Sequence, residues 1–378
     1  MDFDLSEEQR LLKDSVGQLL TDRYDFAARR RTMAQPEGWS RAVWRQFAEV
    51  GILGLPFPES LGGSGAGPIE TMIVMEDIGR SLVVEPYLAT VVLCGGLLRH
   101  AATASQQAAL LPGLMSGEGV YAFAHAERQS RYDLAAIDAT ARREGTSFVI
   151  NGSKSLVLHG DSADTLIVLA RTAGTGNDRH GLGLFVVPAA APGVSRRGYP
   201  TQDGQRAAEI SFDEVHVSQD YMLGDPVTAA GVVEQVVDEA TAALCAEAVG
   251  AMAAAVDLTV AYLQTRRQFG APIGSFQALQ HRAVDMFIAL EQARSMAMLA
   301  AMMASEADAA ERGKAIASAK VQIGRSGRFI GQQAVQLHGG IGMTAEHQIG
   351  HYFKRLTAID ITFGDADHHL ARLAGVVD

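Results

Sequence analysis

Cysteine is nearly absent from this chain of 378 residues, which contains only Cys94 and Cys245. Two cysteines so far apart have no metal-ligand spacing and cannot form a disulfide framework. We therefore expect a protein that works in a reducing, cytoplasmic setting. The acidic residues 1–4 are not typical of a signal or transit peptide.

Basic residues are also few, because 32 Lys and Arg oppose 43 Asp and Glu and give a net charge of -11. This balance argues against nucleic acid as a main partner. The sequence shows no evident run of the ~20 apolar residues that a membrane-spanning helix needs, so we expect no membrane partner. A hydrophobic fraction of 48% with 20% charged residues instead indicates a globular protein with two or three cores.

Hydrophobic periodicity divides the chain into three segments. Residues 1–118 have apolar residues at helical spacing, 119–225 have short β-type runs between Gly and Pro, and 226–378 have long Ala- and Met-rich helical patterns. Asn151-Gly152 predicts a hairpin turn in the middle segment. We expect an α+β protein, mostly α, with an N-terminal helical domain, a middle antiparallel β domain and a C-terminal four-helix bundle.

The most restrictive pattern runs from Arg266 to Gln277 and reads RRQFGAPIGSFQ. An isolated Arg at a helix C-terminus would be explained by the helix dipole alone. Here the Arg stands three residues before a Phe-Gly pair, and a second pattern, QLHGGIG from Gln336 to Gly342, follows downstream. Glycines of this kind either end a helix or let a backbone approach a ligand closely.

Together these two patterns resemble the flavin-binding signature of the acyl-CoA dehydrogenase family, and the resemblance extends over essentially the whole chain. It implies FAD as the cofactor, and in the family the Arg contacts the FAD pyrophosphate of the neighbouring subunit. A guanidinium suits this role because it forms bidentate hydrogen bonds with phosphate. The resemblance therefore implies an oligomer, either a homo-oligomer or a hetero-oligomer with a larger homologous subunit. The implied FAD contacts are Arg266, Phe269, Gln277, Gln336, Gly339 and Gly340.

The family resemblance also implies a reaction, the α,β-desaturation of an acyl-CoA thioester as in fatty acid β-oxidation, with electrons passed to electron-transferring flavoprotein. A carboxylate base must remove the Cα proton. Most of the family carry this base as a Glu near the C-terminus, where this chain has Phe363. A minority carry it on the first helix of the bundle, where this chain has Ala240. Neither side chain can accept a proton.

Four carboxylates lie near these two positions, Asp238, Glu239, Glu247 and Asp365, and three of them, Glu247, Glu239 and Asp365, remain as candidate bases. We predict Glu247, because seven residues after Ala240 is almost two helical turns and places both on one face. Glu247 also lies in an apolar stretch, where burial would raise its pKa towards that of a useful base. The alternatives are that Glu247 pairs with an Arg or Lys across the bundle, or that none of the three is the base.

The middle segment departs from the family pattern. Leu156 and Leu158 align with the family's Trp that covers the flavin and its Thr that hydrogen-bonds to flavin N5. The alternative function is therefore a non-catalytic subunit that completes the FAD site of a catalytic partner. Residues 124–133 and 363–369 resemble the small subunits of pimeloyl-CoA dehydrogenases, which suggests a dicarboxylic acyl chain with Arg128 and Arg131 as partners of its distal carboxylate.

The histidines do not indicate a metal site. His338, His368 and His369 lack the spacing with which three or four ligands converge on one ion. We expect no bound metal.

Overall fold

The computed structural model describes residues 5–376, so the acidic start of the chain and the last two residues lie outside the described part. The chain divides into two compact units. The bundle unit comprises the residues up to 31, residues 68–83 and the residues from 241 onward. The sheet unit comprises residues 32–67 and 84–240. The division into three domains at 118 and 225 stays a prediction.

The helices have the bounds that follow, in chain order. They are α1 (Glu7–Arg23), α2 (Phe26–Met33), α3 (Arg41–Glu49), α4 (Pro68–Ser81), α5 (Gly95–Ala101), α6 (Ala104–Met115), α7 (Ala229–Thr265), α8 (Gln277–Met303), α9 (Ala309–His338), α10 (Ile349–Ile361) and α11 (Ala366–Leu373). Capping explains several starts: Ser6 and Gln9 form a capping box at α1, and Asp308 accepts hydrogen bonds from the first backbone N–H groups of α9.

The helix α7 corrects the expectation that no apolar run approaches a membrane span. It is long and apolar enough to cross a membrane by length and composition, although 83% of its most apolar window is buried inside the protein. A helix that is apolar on all sides is typical of a protein core as well as of a membrane. The burial of α7 therefore accounts for its composition.

The strands have the bounds β1 (Tyr121–Ala124), β2 (Thr140–Glu144), β3 (Ser147–Leu158), β4 (Thr165–Arg171), β5 (Leu182–Pro188), β6 (Val194–Pro200), β7 (Arg206–Ser218), β8 (Met222–Leu223), β9 (Arg267–Gln268) and β10 (Ala271–Pro272). The first eight form one sheet in the sheet unit, in the order β6-β7-β3-β2-β4-β5-β8, with β1 beside β4. Most pairs are antiparallel as expected, but β1 and β2 each pair with β4 in parallel. The α+β, mostly helical fold class is confirmed.

The prediction of a hairpin turn at Asn151-Gly152 is wrong. Both residues lie inside the continuous strand β3, where the pairing with β7 shifts register between Ile150 and Gly152. A Cβ at Gly152 would come within 2.7 Å of Ala139, so glycine is needed there for close strand packing rather than for a turn. The hairpin that precedes β3 turns instead at Gly145, whose φ is +60°.

Candidate functional site

A tight turn after α7 exposes the first predicted FAD contacts. The strands β9 and β10 pair across Phe269 and Gly270, which both have positive φ, at +54° and +80°. Two residues with positive φ are typical of a two-residue hairpin turn. This conformation is unfavourable for a non-glycine residue, and it leaves the Phe269 side chain 93% exposed.

The polar side chains on either side of this turn are available to a ligand. Arg266 is exposed, and its guanidinium has no hydrogen bond or ion pair with any of the described residues. The neighbouring Arg267 differs, because its Nη2 donates to the carbonyl oxygen of Gly270 at 3.2 Å. Gln277, the first residue of α8, is exposed, and its side chain has no hydrogen-bond partner within residues 5–376.

The end of α9 carries the second predicted group of contacts. Gln336 is exposed in the last turn of α9, and the helix ends at Gly339, whose φ is +66°. A Cβ at Gly339 or Gly340 would meet no atom within 4 Å, so the backbone here faces open space. The Tyr262 ring of α7 stacks on His338 with centroids 4.5 Å apart, which brings the ends of α7 and α9 together.

These observations define two exposed segments at neighbouring helix ends of the bundle unit, which we together call the signature surface. Its free guanidinium and amide donors, open glycine backbone and exposed phenyl ring fit an anionic dinucleotide such as FAD. The structure thus brings the two sequence patterns to neighbouring helix ends, although it does not test their role in binding. The signature surface consists of Arg266, Phe269, Gln277, Gln336, Gly339 and Gly340.

The predicted base, Glu247, is bound by an arginine. Arg355 on α10 donates from Nε to Oε1 at 2.5 Å and from Nη2 to Oε2 at 2.8 Å. The Arg355 side chain is 10% exposed, and the Glu247 side chain is 2% exposed. Both oxygens of Glu247 therefore accept hydrogen bonds in a buried, bidentate ion pair. This is the pairing considered as the alternative, and the assignment of Glu247 as the base stays a prediction.

Close packing of α4 holds the backbone around Glu247 in place. A Cβ on Gly79 would lie 1.9 Å from the carbonyl oxygen of Glu247, and one on Gly250 would lie 1.8 Å from that of Glu76. Only glycine at both positions lets α4 and α7 approach so closely. The Glu247 carboxylate is thus fixed by its partner and by the helix that carries it.

The other two candidate carboxylates also have internal partners. In the sheet unit, Glu239 accepts hydrogen bonds from Arg99 at 2.6 Å and from His100 at 2.8 Å. Burial would raise the pKa of Glu239, but the hydrogen bonds and charges of His100 and Arg99 together hold it below its usual value. Asp365 in the bundle unit caps α11 by accepting from the backbone N–H of His368 at 2.8 Å.

The segment around Phe363 is held by groups that the sequence analysis did not identify. Lys320 of α9 is buried and donates to the carbonyl oxygens of Asp360, Thr362 and Gly364, at 2.8, 3.0 and 2.6 Å. Burial lowers the pKa of this ammonium to about 8. Phe363 itself has a positive φ of +57°. The loop that would present a base in most of the family is therefore rigidly held, with a phenyl ring at that position.

In the sheet unit, a buried ion pair supports the loop that follows β1. Lys154 donates to Glu127 at 2.6 Å, and Glu127 also accepts from the backbone N–H groups of Asp138 and Ala139. Burial lowers the pKa of Lys154 to about 8 although Glu127 opposes this. Burial also acts to raise the pKa of Glu127, but Lys154 and the backbone donors leave it below its usual value. The loop is therefore held by Lys154 of β3 and by its own backbone donors.

The remaining candidates of the sheet unit are exposed. Arg128 and Arg131 lie on the surface of this loop, and Arg128 is 3.7 Å from Glu209. Leu156 is 55% exposed with a φ of +52°, whereas Leu158 is partly buried at the end of β3. Neither leucine can donate a side-chain hydrogen bond.

Metal-ligating side chains do not converge. Within residues 5–376, no group of three or more His, Cys, Asp or Glu side chains could hold a metal ion. His338 stacks between Tyr262 and His347, and His369 contacts the Phe363 carbonyl oxygen at 3.0 Å.

Comparison with known proteins identifies the family. Three models match in order: the N-terminal domain of acyl-CoA dehydrogenase at residues 6–118, the middle domain at 122–215 and the C-terminal domain at 230–377. The chain belongs to the acyl-CoA dehydrogenase family. This family consists of FAD-dependent oxidoreductases that act on CH–CH bonds.

Named relatives and solved structures agree with this assignment over nearly the full length. The chain is 29% identical to isovaleryl-CoA dehydrogenase of Pongo abelii over 96% of this chain and 87% of the relative. It is 30% identical to a chain of a variant of the Tcur3481-Tcur3483 steroid ACAD, with TM-score 0.88 and coverage of 98% and 97%. It is 25% identical to a chain of the ChsE4-ChsE5 complex from Mycobacterium tuberculosis, with TM-score 0.89 and coverage of 99% and 98%.

This chain combines an exposed signature surface with three candidate bases that each accept hydrogen bonds from internal donors. Sequence reasoning missed Arg355, although a signal was present. Arg355 lies three residues after Tyr352 and one before Leu356, on the face of α10 that the sequence marks as buried. A buried cation on this face requires an anionic partner, and Glu247 is that partner.

Proposed function

We propose that this chain is the FAD-bracing subunit of a hetero-oligomeric acyl-CoA dehydrogenase. Its signature surface completes the flavin site of a larger homologous subunit, and that subunit supplies the catalytic base. The single observation that carries the proposal is the state of the three candidate carboxylates. Glu247, Glu239 and Asp365 all accept hydrogen bonds from fixed internal donors, whereas the Arg266 guanidinium is free of partners among the described residues.

The pairing of Glu247 argues against a role as the base. A base needs a carboxylate oxygen directed at the Cα proton of the substrate. Both Glu247 oxygens accept from Arg355, and breaking a buried ion pair is unfavourable by ~3–5 kcal/mol. This free energy would be added to the barrier of each turnover.

The chain's own contribution is to hold and orient the cofactor. The chemistry that FAD would supply is acceptance of the hydride from Cβ of the acyl thioester, with the electrons then passed to electron-transferring flavoprotein. Arg266 would neutralise the pyrophosphate charge, Gln277 and Gln336 would donate to polar groups of the cofactor, and Phe269 would cover an apolar part of it. Gly339 and Gly340 would let the backbone approach it closely.

A two-chain assembly is consistent with two of the solved structures similar to this chain, which are named for pairs of different chains. The reaction would serve β-oxidation-type degradation in the cytoplasm.

A dicarboxylic acyl chain would account for Arg128 and Arg131, exposed on the loop after β1. An assay of the assembly with mono- and dicarboxylic acyl-CoA of equal length tests this preference, which equal turnover would contradict.

The visible spectrum tests the main proposal. The chain is purified alone and after co-expression with the larger homologous subunit of its own genome. We expect a colourless chain alone and a yellow complex whose flavin absorbance is bleached by acyl-CoA. A yellow chain that acyl-CoA bleaches without any partner would overturn the bracing role.

The second candidate function is that of an enzyme with Glu247 as its base. This candidate is supported by the position of the Glu247 carboxylate. It is 2% exposed in an apolar helix and lies seven residues after the family's alternative base position. Glu247→Gln in the complex should change turnover less than about twofold in a bracing subunit. Loss of a general base would instead reduce turnover ~100- to 10,000-fold.

The control for Glu247→Gln must remove the ion pair without leaving a buried charge. The double variant Glu247→Gln with Arg355→Met does so, and its flavin content and unfolding temperature show whether the fold is intact. Full turnover in both variants excludes Glu247 as the base. A folded, yellow double variant without turnover establishes it as the base.

A further inference from the structure

The bundle unit contains a cavity that shares no lining residue with the signature surface. Its volume is about 450 Å³, within the range of small-molecule sites, and residues of α1, α4 and the start of α10 line it. Its apolar and aromatic lining includes Leu20, Tyr24, Phe26 and Tyr352, and Asp77 of α4 contributes a carboxylate.

The Asp77 carboxylate lacks a partner within the described part of the chain. The residue is 7% exposed, and Oδ2 is fully buried without a hydrogen bond. Most buried carboxylates are paired or hydrogen-bonded, since an unpaired buried charge is unfavourable. Gly17 on the facing helix α1 lies beside this oxygen, because a Cβ there would be in van der Waals contact with it, at 3.9 Å.

Four charged groups lie nearest to Asp77, and the two cations among them, Lys13 and the cavity-lining Arg80, have carboxylate partners of their own. On α1 these groups are Lys13 and Asp14, and on α4 they are Glu76 and Arg80. Lys13 lies 3.8 Å from Glu76, and Arg80 is paired with Asp257 at 2.7 Å. The cations beside the cavity therefore have their own carboxylate partners.

We propose that this cavity binds a small organic ammonium ion, with its charged group on Asp77 and its carbon skeleton among the aromatic residues. An ammonium donates charge-assisted hydrogen bonds to a carboxylate. Tyr24, Phe26 and Tyr352 in the lining provide aromatic surface that attracts organic cations. An anion would be repelled by Asp77, and a neutral molecule would leave its charge unbalanced.

Titration calorimetry with n-butylammonium and n-hexylammonium tests the proposal on the complete protein, with n-butanol and n-hexanol as uncharged controls. We expect each ammonium ion to bind at least 10-fold more tightly than its alcohol. Burial raises the pKa of Asp77 to about 6, with weaker opposing effects of Lys13 and Arg80. Affinity should therefore fall as the pH is lowered from 7.5 to 5, since protonation removes the charge. Absence of ammonium binding, or equal binding of the alcohols, overturns the proposal.

Two variants test separately whether binding depends on the Asp77 carboxylate and on the space of the cavity. Asp77→Asn removes a buried charge, so it should fold with an unchanged or higher unfolding temperature and bind n-hexylammonium at least 10-fold more weakly. Thr21→Trp places a large ring at an exposed position of the cavity lining and should weaken binding with Asp77 intact. Wild-type affinity in either variant shows that the ammonium ion binds elsewhere and overturns the site.

Discussion

Two regions of the bundle unit carry the residues singled out in the sequence. They differ in whether the charged side chains have partners within the chain. On the signature surface, Arg266 is exposed without a partner among the described residues, and Phe269 is 93% exposed. Around Glu247, both carboxylate oxygens accept from Arg355, and the glutamate is 2% exposed. The first region is exposed to solvent, whereas the charged groups of the second are paired with each other.

This difference separates cofactor binding from proton abstraction. A polar side chain that has no internal partner is available to an external ligand. A base can be buried, but it needs an oxygen free to accept the proton. Under the proposed function, Arg266 would contact the cofactor, whereas the Glu247–Arg355 pair would be structural.

The largest expected effect is the loss of the buried pair. Arg355→Met leaves the Glu247 charge buried without a partner and should lower the free energy of unfolding by ~3–5 kcal/mol. The double variant Glu247→Met with Arg355→Met should recover most of this loss. Unfolding in guanidinium chloride measures the free energy of unfolding of the single and the double variant. A single variant within about 1 kcal/mol of wild type would show that the pair is not structural.

An intermediate effect is expected on cofactor affinity. Arg266→Ala removes a charge-assisted contact of ~1.5–3 kcal/mol and should weaken FAD binding in the complex roughly 10- to 100-fold. Arg267→Ala is the matched control, because that guanidinium donates to Gly270 of its own chain. Fluorescence titration of the apoprotein with FAD gives both affinities. Equal losses in the two variants would contradict a specific role for Arg266.

The smallest effect on stability is expected at Phe269. Because its ring is 93% exposed and its φ is +54°, Phe269→Gly should leave the free energy of unfolding unchanged or raise it by ~1 kcal/mol. Assembly with the partner subunit, measured by sedimentation, should nevertheless weaken. A clear loss of stability with unchanged assembly would place Phe269 among the residues that support the fold.

Sequence patterns predicted much of this architecture, and the failures have physical reasons. The long helices were found because their apolar periodicity is strong, and the two signature patterns were found because both are short and restrictive. The hairpin at Asn151-Gly152 was wrong because glycine serves close strand packing as well as turns. The apolar helix α7 was not recognised as a possible span because small alanines make up much of its apolar surface.

The sequence by itself determined the family, the cofactor and the absence of a carboxylate at positions 240 and 363, because residue identities at fixed spacing suffice for each. Only the tertiary structure decided that Glu247 faces Arg355, that Lys320 holds the Phe363 loop and that Asp77 has no internal hydrogen bond within the described residues. The first two of these contacts join residues 108 and 44 positions apart, and the third depends on what is missing nearby. Whether a buried charge is paired depends on which helices pack together, and local sequence does not encode that.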